Sequence, residues 1–332
     1  MNTSYCAGID VSKLNLDVHL RPDGPDAPAV TSPPKAGPKD VIRRVANTPT
    51  GHAELISLMR KHHVGLVVLE ASGSYENLAK VALVNAGLRV HVAQPATVRH
   101  YAASMGLKAK NDKIDALVLA CFAQERGSGI RVIDKIDKTH ETLQALMARR
   151  DQLKEMHTME ENRLQQVTDK IALKSNKRFV ALIKKELARV EKQIDAIIAA
   201  DPVLQARSTK LQEVEGVGPQ TARLLVACLP ELGKSSLKQL NALVGVAPYD
   251  RESGEHKGTR AIAGGRKLVR NGLYMSCITA MTSNPVIAPY YKQLRSRGLA
   301  HKTAMMACIR KLLAYLDSLI RTLEQDPATG AL

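Results

Sequence analysis

The chain has 332 residues, enough for two or three domains, and carries 48 Lys and Arg against 32 Asp and Glu, a formal charge of +16. No apolar run approaches the roughly 20 residues of a membrane span and no signal pattern opens the chain, so a cytoplasmic protein without a membrane partner is expected. Five scattered cysteines with no CxxC pair argue against a disulfide scaffold or a structural zinc site, and 3% aromatics without Trp argue against base-stacking platforms.

Residues 4–20 read as a strand, a turn at Ser12 and Lys13, and a second strand from Leu14 to Leu20. Residues 21–39, rich in Pro, Gly and Asp, read as a flexible loop. A short strand at Val41 to Ala46 precedes a helix over 51–63, capped by Thr48 or Thr50. Strand 65–70, helix 75–86 with Gly87 after it, strand 88–93, helix 96–105 and helix 112–126 continue an α/β alternation. Residues 139–200 contain no Gly or Pro, and their apolar positions alternate spacings of three and four. This is a heptad seam, read as a coiled coil or antiparallel helical hairpin with its turn at 174–178. From 205 to 325 the chain reads as a mostly helical domain, and residues 205–332 carry 18 basic against 9 acidic residues, +9 of the total. The expected domains are thus 1–136, 137–204 and 205–325, followed by a frayed tail over 326–332. Such a basic excess points to a polyanionic partner, most simply nucleic acid.

Four carboxylates stand out in the first domain. Asp10 lies in the apolar stretch Cys6 to Ser12, and Glu70 ends the apolar run from Gly65. Asp112 and Asp115 open an otherwise apolar helix on one face, three residues apart. Singly, each has a plain structural reading; Asp112, for example, suits the positive end of a helix dipole. A carboxylate closing an apolar strand is harder to dismiss, because an unpaired buried charge is costly. Together the four occupy the places where a ribonuclease-H-like fold holds metal ligands. Magnesium prefers oxygen ligands, and two such ions about 3.5–4 Å apart can clamp a phosphate during displacement.

Two motifs mark the last domain. Leu211 to Leu225, with Gly216, Gly218 and Pro219, reads as a helix-hairpin-helix whose second helix offers free N–H groups to a phosphate. The segment from Gly245 to Tyr274 holds five glycines between 245 and 265 and the cations Lys257, Arg260, Arg266, Lys267 and Arg270. Glycine-rich backbone beside Arg and Lys suits phosphate contact. By chemistry alone Ser253, followed by Gly254, reads as a turn residue, because no Ser–His–Asp order activates it.

These motifs together resemble the DEDD transposases of bacterial insertion sequences, the insertion-sequence one-ten family, which includes Piv-type invertases and bridge-RNA-guided recombinases. The N-terminal signature is carried by Gly8 to Ser12, Glu70 to Tyr75 and Lys110 to Ala116. The C-terminal signature is carried by Gly216-Val-Gly218-Pro219, Gly245 to Pro248, Ser253-Gly254, Gly264-Gly265 and Leu273 to Met275. The resemblance implies a RuvC-like domain, a coiled-coil arm and a transposase domain. It implies that Asp10, Glu70, Asp112 and Asp115 bind Mg2+ and that Ser253 attacks the DNA phosphate, forming a phosphoserine link. It further implies a composite site between protomers, donor and target DNA, a structured guide RNA, and a homodimer or tetramer. The competing readings are a hydrolytic junction resolvase or nuclease with Ser253 structural, and an architectural DNA-binding protein with a degenerate metal site. Ranked last is a sugar-kinase or actin-like ATPase, for which a second glycine-rich phosphate loop is missing.

Overall fold

The computed structural model describes residues 4–107, 112–250, 252–253, 256–257 and 260–325; side chains at 112–113 and 251–259 lie outside that description. The chain divides into two compact units, Met1–Asp137 and Lys138–Leu332.

The first unit is built on a sheet. Its strands are β1 (Ser4–Val11), β2 (Asn15–Asp23), β3 (Val41–Ala46), β4 (Val64–Glu70) and β5 (Val90–Ala93), in the order β3-β2-β1-β4-β5. The β1–β2 and β2–β3 pairs are antiparallel, while β1–β4 and β4–β5 are parallel. The intervening helices are α1 (Pro49–Lys61), α2 (Glu76–Asn85), α3 (Pro95–Ser104) and α4 (Asp112–Arg126). Thr48 caps α1 by accepting from the Gly51 amide.

Strand alternation divides the apolar residues between two layers. Ala7, Ile9, Val67 and Leu69 pack with Leu55 and Met59 of α1 and Leu83 of α2. Cys6, Leu66 and Val68 pack with Val98 of α3 and with Leu117, Val118 and Cys121 of α4.

The segment expected to be a flexible loop is anchored instead. Arg21, 2% exposed at the end of β2, donates to Ala29 O (3.3 Å), Lys35 O (3.2 Å) and Gln124 Oε1 (2.6 Å). Asp40 closes the segment, accepting from His19 Nε2 (2.8 Å) and the Gly37 amide (3.0 Å). Composition signals the turns but not the buried arginine that binds them.

The second unit is mostly helical. Helices α5 (Lys138–Leu164) and α6 (Lys170–Ala200) run antiparallel, as Arg150–Glu191 (2.7 Å) and Lys184–Glu161 (3.4 Å) show. Their turn falls at 165–169 rather than 174–178. Asp169 accepts from the amides of Ile171 and Ala172 and starts α6 there, whereas the polar run 174–178 contains no helix breaker and continues the helix. The remaining helices are α7 (Pro202–Gln212), α8 (Pro219–Cys228), α9 (Leu237–Val244), α10 (Lys267–Ser283), α11 (Ile287–Ser296) and α12 (His301–Gln325). Leu143, Met147 and Ile194 of the α5–α6 pair share one core with Leu211, Leu225, Leu273 and Leu312. The base of the pair is therefore part of this unit. No described helix is long and apolar enough to cross a membrane.

Candidate active site

Asp10 is the next-to-last residue of β1, and Glu70 is the last of β4. These strands are parallel neighbours with Ile9 opposite Leu69, so the two acids occupy the next positions of adjacent strands. Alternation places both on the layer that faces α4, with Cys6 and Val68. Three points show that α4 crosses this face antiparallel to β1. Arg21, paired with Cys6, bonds Gln124; Cys6 Sγ donates to Ala120 O at 3.4 Å; and Gly8 lies against Ala116 and Ala120. The first turn of α4, with Asp112 and Asp115, therefore lies toward the strand ends that carry Asp10 and Glu70.

Gly8 makes this approach possible. A Cβ there would lie 2.2 Å from Ala120 N and 2.3 Å from Ala116 O, well inside any real contact. Beyond Glu70 the chain turns sharply through Gly73 and Ser74, whose φ of 93° is unusual for a residue with a side chain. Glu76 Oε2 binds the turn together, accepting from the Ser72 amide (3.0 Å), the Ser72 hydroxyl (3.1 Å) and the Ser74 amide (3.0 Å). The strained turn adjoins a candidate ligand, a place where strain is often stored.

A fifth acid, absent from the sequence reading, joins this face. Asp17 of β2 is the register partner of Asp10 across the β1–β2 ladder. Arg44 of β3 grips both of its carboxylate oxygens at 2.8 Å, which balances its charge beside the other acids. The signal for it was present: Asp17, His19 and Arg21 alternate with Leu16, Val18 and Leu20.

The side chain of Asp112 lies outside the described residues. Among those that are described, no group of three or more His, Cys, Asp or Glu is gathered closely enough to hold a metal. The donor set itself is all carboxylate, on rigid strand ends and one helix start, and its chemistry fits a hard divalent cation.

In the second unit Ser253 lies at the tip of a hairpin. Strand β7 (Glu252–Ser253) pairs with β8 (His256–Lys257), Ser253 opposite His256. Nearer the base, β6 (Pro248–Tyr249) pairs with β9 (Ala261–Ile262). The side chains of Ser253 and Lys257 lie outside the described residues. Arg260 bonds Asp250 on the exposed surface. Arg266 is committed inward, donating to both oxygens of buried Glu231 (2.6 and 2.8 Å) and to Cys228 O (2.9 Å). Those hydrogen bonds raise the Arg266 pKa further, so it stays charged. Arg270 bonds two glycine carbonyls, and Lys267 is exposed at the start of α10.

The turn between α7 and α8 contains Gly216 and Gly218. A Cβ on Gly216 would lie 2.7 Å from Ala280 Cβ, and Asn284 Nδ2 donates to Glu215 O at 2.9 Å, so this turn is packed against α10. Gly218, by contrast, faces open space at the start of α8, where no side chain caps the amides.

A family model for DEDD transposases of the IS110 type, described as Transposase, matches residues 7–173. A second, described as Transposase IS116/IS110/IS902 family, matches residues 208–292. The chain is 28% identical over 285 residues to the pilin gene-inverting protein of Moraxella bovis, covering 83% of this chain and 87% of that one. The Moraxella lacunata protein of the same name matches equally well. An uncharacterized 44.8 kDa protein of insertion element IS116 from Streptomyces clavuligerus is 30% identical over 118 residues, 35% of this chain and 29% of that one.

Proposed function

The chain belongs to the IS110 family of transposases and is a DNA recombinase, and on that premise we propose that it exchanges strands through a covalent serine–DNA intermediate at a magnesium site. The observation that carries the metal site is the placement of Asp10 and Glu70 at adjacent strand ends, toward which the first turn of α4 is directed. The strand order β3-β2-β1-β4-β5, with an antiparallel opening and parallel continuation, supports a ribonuclease-H-like, RuvC-like reading.

Asp10, Glu70, Asp112 and Asp115 would hold the metal. When bound, magnesium supplies compensation for charge that develops on the phosphate and eases loss of the serine proton. Ser253 Oγ loses its proton and forms a bond to phosphorus as the P–O bond to the adjoining deoxyribose breaks, leaving a free DNA hydroxyl. Attack by the hydroxyl of another strand reverses the chemistry and releases Ser253. One phosphodiester is exchanged for another, so rejoining needs no nucleotide cofactor.

The basic surface of the second unit and the open N-terminus of α8 at Gly218 support a sequence-independent grip on DNA, in helix-hairpin-helix fashion. Choice of site is assigned to base pairing with a structured guide RNA, a reading that rests on the family resemblance and is analogous to other guided systems. Exposed Ile171 (83%), Leu182 (60%) and Met159 (51%) along the α5–α6 pair support self-association of this coiled-coil arm.

A plasmid carrying the gene with its flanking DNA tests the reading. Recombined junctions are expected from the wild type and from neither Asp10→Asn nor Ser253→Ala, while purified Ser253→Ala keeps wild-type affinity for duplex DNA. Junctions formed by Ser253→Ala at the wild-type level would refute the nucleophile. Free cleaved ends from that variant would instead favour a hydrolytic nuclease.

A further inference from the structure

The segment carrying Ser253 leaves the helical scaffold at Gly245 and rejoins it at Gly264 and Gly265. Among the described residues its strands β6 to β9 are each two residues long. The base is built differently. Gly245 ends α9 in the left-handed region (φ 77°), and Gly265 has φ 75°. A Cβ on Gly265 would lie 2.3 Å from Gly245 N and 2.4 Å from Gly245 Cα, so the two backbones touch. Arg270, one turn into α10, bridges them: its Nη1 donates to Gly264 O (2.7 Å) and Gly245 O (3.3 Å). The Arg266 amide also donates to Leu243 O (2.7 Å), and Arg310 of α12 donates to Val246 O (3.1 Å).

We propose that Arg270 is a positioning residue for the recombination reaction: it clasps both ends of the hairpin and thereby fixes where Ser253 is presented. The inference rests on the reading of Ser253 as nucleophile. It also gives Arg270 a different task from the phosphate contact that its place in a glycine-rich basic segment suggests. One guanidinium nitrogen shared by two carbonyls from opposite ends of the segment is the geometry of a strap. A displacement of about 1 Å at the base, carried to the tip, is enough to cost about a hundredfold in rate.

Arg270→Ala, Arg270→Lys and Gly265→Ala, made in the full chain beside Ser253→Ala, test the clasp. Amide exchange by mass spectrometry reads Val246 and Arg266 directly. The clasp predicts at least about tenfold faster exchange there in all three clasp variants, with the helices of the second unit still protected. It predicts loss of junctions in the plasmid assay by about a hundredfold. Binding to a 30-base-pair random-sequence duplex should keep its affinity and salt dependence. Gly265→Ala changes no charge, and Arg270→Lys preserves the charge on a shorter side chain whose nitrogen stops short of the Nη1 position, so both should behave as Arg270→Ala does. The proposal is overturned if Arg270→Ala leaves exchange at the base slow, if Arg270→Lys restores junction formation, or if the salt slope for the random duplex falls by about one ion. If Arg270→Ala does not fold, Arg270→Lys and Gly265→Ala decide by the same readouts. Wild-type junctions from Ser253→Ala would remove the nucleophile while amide exchange still decides the clasp.

Discussion

Gly8 shows how much the site depends on one missing side chain. The carbonyl of Ala116 and the amide of Ala120 lie where its Cβ would be, and they belong to helix backbone, which cannot yield as a flexible side chain can. Gly8→Ala is expected to cost more than about 3 kcal/mol, since overpacking here must lift α4 off the sheet. Thermal unfolding of the variant checks this, and a melting temperature within a degree or two of wild type would count against the packing described. Asp17 makes a second case. Arg44→Ala leaves its carboxylate uncompensated next to Asp10, so apparent affinity of the free protein for Mg2+, measured by calorimetry, should change. Asp17→Asn together with Arg44→Ala removes both charges and should return it toward wild type. Asp10 and Glu70 stood out in the sequence because they fall within or close an apolar run, and Asp112 and Asp115 because they open an otherwise apolar helix. Asp17 was not singled out, because its strand alternates polar and apolar residues throughout.

Elements were more legible than their ends and anchors. Short apolar runs located β1, β2 and β4, and of the two cap candidates, Thr48 and Thr50, it is Thr48 that starts α1. The α5–α6 turn was misplaced because charge was read as a break, when the decisive residue was the capping Asp169. Asp169→Ala is expected to cost about 1 kcal/mol of stability, read by chemical denaturation. The Pro- and Gly-rich segment after β2 was legible as irregular, yet its anchoring by Arg21 required long-range contacts that local composition does not encode. In the same way, a run of cations suggested phosphate contact but did not show that Arg266 turns inward to Glu231. Spacing reveals which face a residue shares; it does not reveal which buried carboxylate waits there.

At the scale of the whole molecule, charge and burial set the response to salt and pH. With +16 overall, binding to a random duplex should weaken steeply with salt, by about 10³-fold between 50 and 200 mM if six or so phosphates are neutralised. His19 is 2% exposed, and desolvation lowers its pKa below the ordinary 6.5 despite its bond to Asp40. The unfolded chain therefore takes up this proton more readily than the folded one, and stability present above pH 6.5 is lost as pH falls below it. His52 and His62 are lowered in the same sense by burial. Melting temperature should fall between pH 7 and 5, less steeply in His19→Gln than in wild type.

Capture of the intermediate tests the central claim most directly. The wild-type protein and Ser253→Ala, each expressed with its flanking DNA, are purified under denaturing conditions and digested, and attached DNA is sequenced while the modified peptide is identified by mass. Element-end DNA joined to the peptide containing Ser253 in wild type, and absent from Ser253→Ala, is the predicted result. Cleaved or recombined DNA with no protein attached, or an adduct that persists in Ser253→Ala, would contradict the account.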